Sequence, residues 1–156
     1  MERVEKEIEI DAPVSVVYNQ WTQFEEYPEY MEGVLDVHQL DYRRLYLQNE
    51  YFGKRLDWNA DIYEQVPDTH IKWRSTAGMH NEGAIYFVSR GERGDRTHLR
   101  VVFEYEPAEI SENIAAAQAL VNSRIQINLV RFRDFLERRG RETGGWRPEI
   151  EESTPR

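Results

Sequence analysis

Cysteine is absent from the 156-residue chain, which excludes disulfides, thiol catalysis and thiolate metal sites. Histidine is scarce. Its four copies, at 38, 70, 80 and 98, show neither a helical i, i+4 pair nor a zinc-like spacing, so no metal and no cofactor is expected. Long apolar runs are missing too: no stretch approaches the roughly 20 residues of a membrane span, and the opening MERVEKEIEI is charged and alternating, unlike a signal peptide. The expected location is therefore cytoplasmic, without stable membrane insertion. Positive charge is in deficit, 20 Lys and Arg against 29 Asp and Glu, for a net charge of −9. The imbalance lies in residues 1–69, with 16 acidic against 6 basic, whereas 70–156 hold 13 against 14. Such a chain repels a phosphate backbone, and nucleic acid is not an expected partner.

What remains is a chain with 40% hydrophobic and 31% charged residues, the mixture of a well-charged globular domain rather than a disordered segment. Its length suits one domain, taken as residues 1–140, with 141–156 read as a flexible C-terminal tail from its Gly, Pro and charge content. Val4, Ile8 and Ile10 alternate with charge, which predicts a half-buried strand. Val14, Val17, Tyr18 and Trp21 follow with helical spacing. Pro28 then limits residues 24–32 to one or two short turns. Six more strands are read over 34–40, 44–51, 56–65, 70–75, 82–89 and 97–105, separated by turn-forming Gly, Pro, Asp and Asn. Last comes a long helix over about 111–139, with Ile114, Ala117, Val121, Ile125, Leu129, Phe132 and Leu136 along one face and Gly140 as its stop.

The strings IEIDAPVSVVYNQWTQFEEYPEYMEGVLDVHQLD, WNADIYEQVPDTHIKWRSTAGMHNEGAIYF, THLRVVFEYEP and NLVRFRDFLE occur in this order. Together they resemble the polyketide cyclase/dehydrase branch of the START-like (SRPBCC) superfamily over about residues 3–140. The resemblance implies an α+β helix-grip fold: a seven-stranded curved antiparallel sheet wrapped around a long C-terminal helix, with two short helices after the first strand. It also implies an internal apolar cavity. Family members include lipid carriers, quinone-binding proteins, hormone receptors and aromatase/cyclases, so fold alone does not choose the activity.

Within that frame, Trp58, Ala60 and Ile62 share one strand face, and Ile71, Trp73 and Ser75 share the next. Tryptophan rings turned inward offer a wall for an apolar ligand. The expected ligand contacts are Tyr18, Phe24, Tyr27, Tyr30, Met31, Trp58, Trp73, Ile85, Phe87, Phe103, Val121 and Ile125. His70, Lys72 and Arg74 fall on the outward parity; an Arg74 turned inward by a bulge could bind an enolate or carboxylate, and a cyclase needs at least one inward arginine, histidine or tyrosine near the cavity floor. Asn122, Arg124 and Asn128 flank the apolar face of the last helix. His80-Asn81-Glu82 and Arg93-Gly94-Asp95 read as solvated turns. No catalytic residue is assigned. The expected function is binding or transport of a hydrophobic small molecule, lipid, quinone or polyketide-like, with a homodimer permitted. The alternatives are a polyketide aromatase/cyclase or dehydratase, and a stress-related protein-interaction module. In the segment WTQFEEYPEYMEGV the aromatics are expected to cap the core or cavity mouth while the glutamates face water.

Overall fold

The structure is a computed structural model and describes residues 1–152. Strand β1 (Glu2–Ile10) buries Val4 and Ile10 and turns Glu5, Glu7 and Glu9 outward, as its alternation requires. Helix α1 (Val14–Trp21) buries Val17 and Tyr18 completely. The second short helix is a 3₁₀ helix, Phe24–Glu29, that contains Pro28 and buries Phe24 and Tyr27. Strands β2 (Val34–Gln39), β3 (Arg44–Tyr51), β4 (Lys54–Val66), β5 (His70–Gly78), β6 (Asn81–Arg90) and β7 (Arg96–Tyr105) follow. They form one antiparallel sheet in the order β1-β7-β6-β5-β4-β3-β2.

Register shifts bend this sheet. The extra residues are Leu35 in β2, Tyr63 in β4 and Thr76 in β5, the last opposite Asn59 and Ala60. An extra residue on one strand of a pair increases local twist and curvature. The curled sheet grips α3 (Ile114–Arg139), giving the helix-grip architecture. Asn113 caps α3 by accepting a hydrogen bond from the Ala116 amide at 3.0 Å, and Gly140 ends it in a left-handed conformation. Ala117, Val121, Leu129, Phe132 and Leu136 are buried against the sheet. Ile114, at the helix start, stays exposed because the apolar stripe meets the sheet only from Ala117 onward.

Two segments differ from the reading above. A separate short helix, α2 (Pro107–Ile110), precedes α3 and buries Pro107 and Ile110. Proline at its first position suits a helix start, where an amide would lack an intrahelical partner anyway. The second difference is the tail, whose residues 141–152 lie against the body. Ile150, fully buried, exchanges two 2.8 Å backbone hydrogen bonds with Gln65 at the end of β4, beyond the point where β3 begins. Trp146 meets Phe24 and Tyr42 edge to face, and Arg147 pairs with Asp68 and Asn19. Two apolar side chains and these polar contacts anchor a segment whose average composition is polar. Among the described residues, no helix is long and apolar enough to cross a membrane.

Candidate functional site

Between α3 and the concave face of the sheet lies a cavity of about 190 Å³. Its walls follow from strand alternation. Leu45, Leu47, Asn49 and Tyr51 come from β3, Trp58, Ala60 and Ile62 from β4, and Ile71 and Trp73 from β5. Ile85, Val101 and Phe103 continue the surface across β6 and β7. Val121, Arg124, Ile125 and Asn128 of α3 face them, and Trp21, Phe24, Tyr27, Met31, Glu32 and Val34 close the remaining side. The cavity is predominantly aromatic and aliphatic.

Of the expected contacts, Phe24, Tyr27, Met31, Trp58, Trp73, Ile85, Phe103, Val121 and Ile125 all border this space. Tyr18, Tyr30 and Phe87 do not. Tyr18 and Phe87 pack on one another with ring centroids 5.2 Å apart, and the Tyr18 hydroxyl accepts a 2.8 Å hydrogen bond from Gln65. The bulge at Ile62/Glu64 turns Gln65 inward, where it meets Tyr18. Burial pushes the Tyr18 phenol up to about 12. Tyr30 follows the 3₁₀ helix and is rotated toward α3, where it stacks on Phe135 at 4.5 Å.

Each cavity tryptophan is fixed by an asparagine. Trp58 donates to Asn49 Oδ1 at 2.7 Å, and Trp73 donates to Asn81 Oδ1 at 2.9 Å. An indole N–H is a donor only, so these contacts orient both amide groups. Asn81 spends its own NH₂ on the Met79 carbonyl. Thus the turn His80-Asn81-Glu82 contributes its middle residue to the interior, while His80 pairs outside with Glu109 at 2.9 Å. Strand alternation alone assigns neither asparagine this role. Asn49 did carry a signal, as a polar residue on the apolar parity of Leu45, Leu47 and Tyr51; Asn81, at a turn, carried none.

Arg124 and Asn128 tie α3 to the rim. Asn128 accepts from the Glu32 amide at 2.6 Å and donates to the Glu32 carbonyl at 3.0 Å. Arg124 donates through Nη1 to the Glu50 carbonyl, lies 5.0 Å from the Tyr51 ring centre, and places Nη2 3.5 Å from Glu50 Oε1. Gly33 makes this possible, because a Cβ there would stand 2.6 Å from the guanidinium carbon. The Arg124 Nε–H is buried and has no acceptor among the described residues.

The other charged candidates face away. Arg74 lies on the outer face, 4.2 Å from the Tyr63 ring centre and paired with Glu152, so the inward arginine of the cavity is Arg124 and not Arg74. None of the four histidines lines the cavity. His38, His70 and His80 each pair with one carboxylate, and His98 lies between Glu9 and Glu7, whose hydrogen bonds raise its pKa. Glu25 and Glu29 are exposed, as expected for the segment from Trp21 to Val34, and Glu25 accepts from the Gln39 amide.

Comparison with known proteins gives consistent relatives. The sequence model of the family described as polyketide cyclase/dehydrase and lipid transport matches residues 10–132. An uncharacterised 17.2 kDa protein from the melC2-rnhH intergenic region of Streptomyces lincolnensis is 33% identical over 147 residues, covering 94% of this chain and 97% of that protein. The structure of a START superfamily protein from Mycobacterium smegmatis is similar with a TM-score of 0.75 at 18% identity, covering 87% of this chain and 97% of the other. The Zhui aromatase/cyclase of Streptomyces sp. R1128 gives a TM-score of 0.70 at 18% identity, covering 93% and 99%. Both structural likenesses concern the fold.

Proposed function

The chain belongs to the polyketide cyclase/dehydrase and lipid transport family, and from that premise we propose that it binds a compact apolar molecule, of lipid, quinone or polyketide-like aromatic chemistry, between α3 and the sheet. The observation that carries this reading is the cavity itself, lined by Trp58, Trp73, Phe24 and Phe103 and bordered by few polar side chains. Ligand pockets usually measure about 300–1,000 Å³, whereas a roughly 150 Å³ apolar cavity holds benzene. At about 190 Å³ the space fits one small ring system.

Binding without turnover is favoured by the chemistry of the lining. The Tyr27 hydroxyl donates to the Trp21 carbonyl at 2.6 Å, and burial raises its pKa well above the ordinary phenol value. Tyr51 is pushed up to about 12 by burial, so neither phenol serves as a base near neutral pH. Native mass spectrometry of gently purified protein, followed by organic extraction, tests the reading. A stoichiometric apolar species is expected, together with a change in tryptophan emission when it is stripped and restored. No bound species, and no emission change across a panel of fatty acids, quinones and aromatic ketones, would remove it.

A further inference from the structure

Three polar side chains at one end of the cavity have hydrogen-bonding capacity that the protein leaves unused. Asn49, with its Oδ1 committed to Trp58, has no acceptor for its NH₂ among the described residues. Arg124 has its Nη1 and Nη2 engaged by Glu50, while its buried Nε–H has none. The Tyr51 hydroxyl likewise has no hydrogen-bond partner among the described residues, and burial keeps it protonated. These groups belong to one neighbourhood. Asn49 and Tyr51 flank the Glu50 carbonyl that holds Arg124, and they project to the same face of β3, roughly 7 Å apart by strand geometry.

Buried donors are normally satisfied, and an unsatisfied one on a charged group is costly enough to call for a partner. The other polar groups facing inward are already spent, Asn128 on Glu32, Trp73 on Asn81 and Tyr27 on Trp21, while the Glu32 carboxylate stands exposed at the rim. Within the cavity the unused capacity is therefore chiefly of one kind, hydrogen-bond donors, beside a guanidinium that Glu50 partly balances.

We propose that Asn49, Arg124 and Tyr51 form an oxygen-binding subsite, and that the ligand is an apolar or aromatic molecule carrying a carbonyl or oxyanion at the end nearest α3. This rests on the reading of the cavity as a hydrophobic binding site and adds an orientation to it: ring toward Trp58 and Trp73, oxygen toward Arg124. A plain hydrocarbon would leave the donors unpaired, which is how such a site discriminates between ligands of equal shape.

Acetophenone and α-methylstyrene have nearly the same shape, the second replacing C=O by C=CH₂, and both are small enough for the cavity. Titration of each into the full chain, followed by calorimetry and by tryptophan emission, tests the subsite. The ketone is expected to bind about tenfold more tightly. That preference should disappear in Asn49→Asp, which still accepts from Trp58 but loses the amide donors, and in Arg124→Lys, which keeps the charge but loses the Nε–H. The readout is the ratio of the two affinities within each variant, because a general loosening of the cavity lowers both together whereas loss of the donors lowers the ketone alone. A ketone that binds no more tightly than the alkene, or a preference that survives both substitutions, overturns the subsite while leaving hydrophobic binding intact. Failure of both compounds to bind overturns the hydrophobic reading and the subsite with it.

Discussion

Trp73 owes its orientation to Asn81, which holds its N–H, and to Gly83, which faces it across the β5–β6 register. A Cβ at Gly83 would lie 2.5 Å from the indole Cζ2 and 2.5 Å from the Val102 carbonyl oxygen. Gly83→Ala must therefore displace either the ring or the backbone, and overpacking of this kind costs about 1–3 kcal/mol. Urea unfolding is expected to register that loss, with a shifted tryptophan emission in the folded state; wild-type stability and emission would refute the argument. Residue by residue, strand parity made much of the cavity legible, since alternation alone turned Trp58, Ala60, Ile62, Ile71 and Trp73 inward. It did not reveal that asparagines fix the indoles, because a side-chain hydrogen bond between strands has no periodic signature. Phe87 shows its limit: it points inward by parity, yet it meets Tyr18 of α1 rather than open space.

Asn128 supplies the hydrogen bonds of the clamp between α3 and the segment after the 3₁₀ helix, beside the Tyr30–Phe135 stack. Asn128 satisfies both backbone groups of Glu32, whose neighbours Met31 and Val34 border the cavity. Asn128→Ala removes two hydrogen bonds, each worth about 1 kcal/mol net. The expected result is a modest drop in stability and a clearly faster exchange of bound ligand in stopped-flow fluorescence. Unchanged exchange would mean that this segment is not the route in. The elements themselves were largely readable, because β1, α1, the meander and α3 each carry a strong period of two or 3.6. Helix α2 was not, since four residues are too few to establish a period. The bulges in the β4–β5 pair were equally silent, although they bend the sheet and the one at Tyr63 turns Gln65 toward Tyr18.

Across the whole molecule, the segment 141–152 occupies a place beside β4 that β3 does not reach. Ile150→Ala should cost about 2–5 kcal/mol, the usual range for emptying a fully buried isoleucine site. Thermal unfolding is the check, and an unaltered midpoint would show that the strap contributes nothing. The sequence hid this contact because Gly, Pro and charge dominate the segment's composition, and only Trp146 and Ile150 mark its docking. Net charge had a plainer meaning, since the outer faces of the sheet carry many of the carboxylates, several of them paired with arginine or histidine.

Among the described residues strand β1 has a single neighbour, β7, at one end of the sheet order. During translation the first strand therefore emerges long before the segment that completes it, while β2 to β6 can zip by adjacent hairpins as they appear. Its alternating Glu5, Glu7 and Glu9 discourage wrong pairing over that interval, much as charges protect natural sheet edges. Closure of the grip is thus a late event that joins distant parts of the chain, and the time needed for that encounter, more than the speed of any hairpin, sets when a nascent molecule first encloses its cavity.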